Sequence, residues 1–214
     1  MASMTATTSG TLLRVLVSRG DSVGISRGIQ IASVLFITAL TAAAAQISIP
    51  LPMTAVPLTF QPMVVLVGGL ALGSRLAFAS QVIYLAAGIA GLPVFAASAT
   101  LPPGALRLLG PTGGYLMAYP VAAFVAGYLA ERGFDRRYFT SVLAMFAGLA
   151  IIFVSGVTWL GLFARTITGS APVGMQAALA TGLYPFILPD AVKLAVAAGL
   201  VPTLWRLVGR TGAR

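Results

Sequence analysis

Three features of this 214-residue sequence predict an all-α integral membrane protein, with six transmembrane helices in one bundle and both termini cytoplasmic. Only 8% of its residues are charged and 58% are hydrophobic, whereas a soluble domain carries about 25% charged residues. Apolar runs recur at lengths that cross, or nearly cross, a bilayer. With six spans, ten of the twelve arginines fall on one side and only Arg107 and Arg165 on the other. That bias marks the cytoplasmic side, and an odd number of spans would split the arginine groups across the membrane.

The elements follow in order. Residues 1–28 are rich in Ser, Thr and Gly and carry Arg14, Arg19 and Arg27; they are expected to form a disordered cytoplasmic tail. Arg14 interrupts the longest apolar stretch there, so the segment lacks the h-region of a signal peptide. Ile29 to Ile49 is the first span, at about the 20 residues a crossing needs. Within it Ala39 and Ala43 place small residues one turn apart, a spacing that lets another helix approach closely. That helix belongs either to this bundle or to a partner.

Pro50, Pro52 and Pro57 mark a connection, and Thr59 to Leu72 is apolar but short. It either spans at a thinned point or joins a connection that dips into the bilayer, which is tolerated where protein or a cavity surrounds it. Gly73-Ser74-Arg75 is a tight turn, and Leu76 to Ala90 returns. A Gly- and Pro-rich loop over 91–112 leads to a span from Gly113 to Leu129. The charged segment Glu131 to Arg137 precedes the span Phe139 to Phe163. A second long connection, 164–188, holds a short helix over Gly174 to Leu183. Asp190 to Leu207 is the last span, so the membrane domain covers 29–208 and a basic cytoplasmic tail covers 209–214.

Composition removes several functions. The chain has no cysteine and no histidine, so disulfides, thiolate metal sites and the commonest general base are absent. The only lysine follows Val192, which rules out a P-loop. The formal charge is +9, but the basic residues are scattered singly over loops rather than gathered in a stripe, so nucleic acid is not the expected partner. No span carries the repeated polar ring of a channel. Three of the four acidic residues, Asp21, Glu131 and Asp135, fall in cytoplasmic segments, so no paired acid–base groups are placed for an enzyme. A Ser–Lys nucleophile is the one enzymatic arrangement still open.

Asp190 and Lys193 remain. Pro189 suits the first turn of a helix, and a helix starting there puts both ionisable groups on one face. Charged groups within a span usually face the protein interior and mark a substrate path; the plain alternative is a structural ion pair near a helix end. A helix N-terminus would favour a charged Asp190. With this topology both lie near the outer side, beneath the long uncharged loops 50–58, 91–112 and 164–188. A pocket roofed by those loops would capture a solute from outside. Gly113 and Gly114 allow close backbone approach, to a ligand or simply around a tight turn. Tyr115, Tyr119, Trp159 and Phe95 are candidates to clamp an apolar ligand or, for the Tyr and Trp, members of an interfacial belt.

Gly91-Leu92-Pro93-Val94-Phe95, Gly110-Pro111-Thr112-Gly113-Gly114-Tyr115, and Pro185-Phe186 followed by Asp190 and Lys193 resemble the BioY family. These are the biotin-specific membrane (S) components of energy-coupling-factor vitamin transporters, and the resemblance runs from Ile31 to Pro202. Pro189 is a departure, since related sequences often carry Gly before the aspartate. The resemblance implies a six-helix subunit of the plasma (inner) membrane that binds biotin from the outer side and is not itself an enzyme. It implies substrate contacts from Asp190, Lys193, Phe95, Thr112, Gly113, Gly114, Tyr115, Tyr119 and Trp159. It also implies a transmembrane coupling protein, docked at the Ala39–Ala43 face, and two cytoplasmic ATPases, with no bound cofactor. Asp190 can accept from a ureido N–H and Lys193 donate to its carbonyl; the competing assignment sends Lys193 to the biotin carboxylate. Another vitamin, or a membrane-embedded enzyme using Lys193 or Asp190, stand as alternatives.

Overall fold

The computed structural model describes residues 11–13, 23–98, 101–164 and 172–211. They form helices α1 (Val23–Gln46), α2 (Gln61–Leu72), α3 (Ser74–Ile89), α4 (Leu106–Leu109), α5 (Gly113–Glu131), α6 (Tyr138–Leu162), α7 (Met175–Gly182), α8 (Tyr184–Ala197) and α9 (Leu200–Thr211), with strands β1 (Ser48–Ile49) and β2 (Leu58–Thr59). Among the described residues four stretches are long and apolar enough to cross a membrane: α1, α5, α6, and α8 with α9 taken together. The apolar helices α2 and α3 are shorter, at 12 and 16 residues, or about 18 and 24 Å.

α5 is the hub. It packs against α6, α2, α3 and α4, and small residues on both sides make this possible. A β-carbon on Gly114 would overlap Trp159 and the Ser155 carbonyl of α6, so the two backbones close to a distance that only glycine permits. Between α2 and α3, Gly73 turns the chain with φ 84°. The first turn of α3 is then capped from α5, where Glu131 Oε1 accepts the Ser74 N–H and hydroxyl at 2.9 Å each. α1 is the peripheral helix, with long apolar side chains such as Ile31, Leu35 and Phe36 on the surface.

Several expected boundaries move. α1 starts at Val23 and ends at Gln46, whereas Ile29 to Ile49 was expected. Ser48 and Ile49 leave the helix to pair antiparallel with Thr59 and Leu58, because the prolines at 50 and 52 commit the chain to extended backbone. Most of the tail expected over 1–28 lies outside the described residues. Of its described part, Thr11, Leu12 and Leu13 are buried against the bundle and residues 23–28 belong to α1. In the basic tail, 209–211 continue α9 and 212–214 lie outside the described residues, as does Arg165.

The last span is corrected at its start. α8 begins at Tyr184, with Pro185 in its first turn, and Pro189 sits inside the helix. Asp190 and Lys193 therefore lie in the second and third turns, beyond the first turn in which a helix dipole acts strongly. The span also breaks at Ala198–Gly199, between α8 and α9. The short helix expected over Gly174 to Leu183 is present as α7.

Candidate functional site

Asp190 and Lys193 face the same way from α8 and form an ion pair. Asp190 is 6% exposed. The lysine does more than pair: its Nζ also donates to the Thr59 carbonyl at 2.8 Å and lies 5.7 Å from the centre of the Phe60 ring. It thereby ties α8 to β2 and to the start of α2, 134 residues away. A buried charge needs such partners, since desolvation of an unpaired ion costs several kcal/mol.

The pair borders a cavity of about 290 Å³, at the lower end of the range that holds small ligands, about 300 Å³ upward. Its walls come from the hairpin segment 50–62, residues 95–98, Leu101, Arg107, the first two turns of α5, mid-α6 and α8. Of the residues expected at the site, Asp190, Lys193, Phe95, Thr112, Tyr115 and Tyr119 line this cavity together. Phe95 lies over Gly88, where any β-carbon would strike its ring, and meets Tyr84 edge-on at 5.5 Å. Tyr119 stacks near Tyr84 at 6.4 Å. Tyr115 donates its hydroxyl to the Gly182 carbonyl at 2.8 Å, joining α5 to α7 while its ring faces the cavity.

Gly113, Gly114 and Trp159 do not line the cavity. They form a packing unit on its flank: the indole Nε1 donates to the Gly110 carbonyl at 2.9 Å, and the Ser155 hydroxyl donates to the Gly114 carbonyl at 2.8 Å. Ala39 and Ala43 stand exposed on the outer face of α1, away from the cavity.

Two of the cavity residues not anticipated as site residues bear on its chemistry. Arg107, on α4, is 9% exposed. It donates Nε to the Pro102 carbonyl at 3.1 Å and Nη1 to the Ala96 carbonyl at 2.8 Å, and it has no carboxylate partner among the described residues. The sequence signal was a lone charge within a long neutral loop. Gln61, at the start of α2, is 3% exposed and also lines the cavity; its signal was a polar residue heading an apolar run. With Asp190, Lys193 and Arg107 on its walls, the cavity carries a net charge of +1. It suits a small anion with an apolar body and a group that both donates and accepts hydrogen bonds.

A profile of the BioY family matches residues 19–210. The chain belongs to the BioY family. Among relatives in this family, a probable biotin transporter BioY from Pyrococcus horikoshii is 41% identical over 168 residues, covering 78% of this chain and 91% of that protein. The biotin transporter BioY of Thermotoga maritima is 38% identical over 171 residues, covering 79% of this chain and 92% of that protein. The fold is similar to the crystal structure of an S-component for biotin from an ECF-type ABC transporter. That likeness has a TM-score of 0.73 and 23% identity over 86% of this chain and 95% of that one. The chain is thus an all-helical, multi-pass membrane protein of the BioY family with the S-component fold.

Proposed function

We propose that this chain is the biotin-binding membrane subunit of an uptake transporter, and that the cavity beside Asp190 and Lys193 is its biotin site. The observation that carries this reading is the presence, on one cavity, of a donor–acceptor couple and a separate arginine that has no carboxylate partner among the described residues. Biotin offers a ureido group with two N–H donors and one carbonyl, an apolar bicyclic body, and a carboxylate tail. Asp190 accepts from a ureido N–H and Lys193 donates to the carbonyl; such charge-assisted bonds are roughly twice as strong as neutral ones. Arg107 takes the carboxylate, which leaves Lys193 for the head group. Tyr115, Tyr119 and Phe95 enclose the apolar body. Thr112, at the head of α5, is close enough to the cavity to add a polar contact.

The subunit works as a solute binder and not as an enzyme, in the plasma (inner) membrane, with six spans and both termini cytoplasmic. The arginine distribution supports that orientation, with α2 and α3 as the two short spans, and it opens the site to the outside. A transmembrane coupling protein and two cytoplasmic ATPases supply the energy that a chain without a P-loop lacks. The exposed small-residue face at Ala39 and Ala43 is the surface on which the coupling protein docks.

The test is equilibrium binding of labelled biotin to the detergent-purified protein, competed with unlabelled biotin, riboflavin and thiamine. Saturable binding displaced by biotin alone, and weakened on the order of 100-fold in Asp190→Asn or Lys193→Met, is expected, because removing one partner of a buried, hydrogen-bonded charge contact with a ligand costs about 2–5 kcal/mol. Undiminished binding in both variants would move the site off α8. Displacement by another vitamin in place of biotin would keep the class and change the ligand.

A further inference from the structure

Gln61 has one end of its amide held and the other free. Its Nε2 donates to the Tyr84 hydroxyl at 2.6 Å, and that hydroxyl lies 3.2 Å from the Val94 carbonyl. A carbonyl can only accept, so the single Tyr84 hydroxyl proton goes to Val94, and the phenolic oxygen must accept from Gln61. The reverse orientation of the amide would leave one of these buried groups unpaired, at a cost that native structures avoid. Tyr84 is itself fully buried, so this arrangement is rigid. The amide nitrogen is therefore committed to Tyr84, and Oε1 is the end left over.

That oxygen has no hydrogen-bond partner among the described residues. It is not sealed in, either. Gln81 on α3 also has a partnerless Oε1, but that atom is closed off within the helix contact. Gln61, 3% exposed, lines the cavity that Asp190 and Lys193 border, and its Oε1 is not among the closed-off atoms. A neutral acceptor, fixed in direction and open only to the cavity, awaits a donor from the ligand.

We propose that Gln61 is a specificity-determining residue: its Oε1 accepts one ureido N–H while Asp190 accepts the other and Lys193 donates to the carbonyl. Tyr84 is the positioning residue that points the amide. This rests on the biotin reading above, and it adds a reason for selectivity. A site with two acceptors flanking one donor reads all three polar positions of a ureido group, and it rejects a ligand that lacks either N–H because a buried acceptor is then stranded.

The experiment compares biotin with two biotins methylated on one or the other ureido nitrogen, using detergent-purified unmodified protein, Gln61→Ala and Tyr84→Phe. Unmodified protein is expected to bind both methylated ligands more weakly than biotin. Gln61→Ala is expected to bind biotin about tenfold more weakly. It should bind one methylated isomer no worse than the unmodified protein does, because that isomer has no N–H for Gln61 and now has room for its methyl group. The other isomer should lose the same tenfold. Tyr84→Phe, which frees the amide to flip, should narrow the preference for biotin over the first isomer.

Equal losses for all three ligands in Gln61→Ala would indicate a general loosening and overturn the inference. Full-strength binding of either methylated ligand by the unmodified protein would overturn it without any variant, so a poorly folded Gln61→Ala does not protect it. Biotin binding that is tight, abolished by Asp190→Asn and indifferent to Gln61→Ala would overturn the role of Gln61 alone. An unmodified protein that does not bind biotin would overturn the functional reading and this inference with it.

Discussion

Asp135 and Asp190 are both buried carboxylates beside a cation, yet their surroundings differ at every other point. Asp135, in the connection between α5 and α6, is fully buried. Its Oδ2 accepts from Trp205 Nε1 at 2.6 Å, its Oδ1 lies 3.5 Å from Arg136 Nε, and the Arg136 guanidinium stacks 3.7 Å above the Trp205 ring. Acid, cation and aromatic ring use one another, and the effect is to fasten α9 to the start of α6. Asp190 and Lys193 also pair, but they do so on the wall of a cavity shared with Gln61 and Arg107. The first cluster does not line that cavity; the second does. Burial and pairing alone do not separate a structural ion pair from one proposed to bind a ligand; adjoining space is the feature that differs between these two.

The largest effect that would sharpen this contrast comes from replacing the cavity pair by apolar side chains. Lys193→Met alone leaves a buried carboxylate without its cation, and is expected to lower stability by about 3 kcal/mol or more. Adding Asp190→Leu should restore most of the thermal stability, since apolar replacement of a buried pair is often neutral or favourable. Biotin binding should remain absent in the double variant. Recovery of binding together with stability would show that the pair only holds α8 in place, and the distinction between the two clusters would collapse.

A smaller effect is expected at Arg107, which faces the same cavity with no carboxylate partner among the described residues. Arg107→Met should weaken biotin binding about 10- to 100-fold, the scale of a hydrogen bond to a charged group. A biotin whose carboxylate is converted to the amide should bind the variant and the unmodified protein alike. Equal losses for acid and amide would mean that Arg107 braces the loop through Pro102 and Ala96 and does not read the ligand.

Much of the bundle was legible because hydropathy reports directly on lipid exposure, and because α1, α5 and α6 are long enough to carry the signal unaided. Asp190 and Lys193 were legible as well, since charges in an apolar run are rare and their spacing fixes a shared helix face. The misread features share a different cause. Pro189 resembled a helix start, but Pro185 already fills the first turn of α8, and the helix runs through the second proline. Gly113 and Gly114 were read as allowing close backbone approach, to a ligand or around a tight turn; in the fold Gly114 serves the approach of α5 to α6, and only the neighbour, Trp159, reveals that use. Gln61 and Arg107 come to line the cavity through contacts across the fold, such as the reach of Lys193 to Thr59, which no local pattern encodes.

The smallest effect concerns the Asp135 cluster, and it has a pH signature. Burial raises the Asp135 carboxyl above its ordinary pKa, against the opposing pull of the Trp205 N–H and the Arg136 charge. A carboxyl whose folded pKa is raised favours the fold most when protonated, and that contribution is lost as pH rises through the folded value. The Trp205 N–H offsets the loss by bonding the ionised form. Trp205→Phe keeps an aromatic ring beneath Arg136 but removes that donor, so it should destabilise the protein by about 1–2 kcal/mol at neutral pH. The penalty should shrink as the pH falls toward and below the raised pKa, where the protonated carboxyl no longer needs the donor as strongly. Thermal unfolding of the variant and the unmodified protein at neutral and acidic pH measures this, and biotin affinity at neutral pH should be unchanged because Trp205 is not on the cavity wall. A penalty independent of pH would mean that Trp205 contributes packing alone. A loss of biotin affinity would mean that the two clusters are coupled through α8 and α9, and that the Asp135 cluster also serves the proposed site.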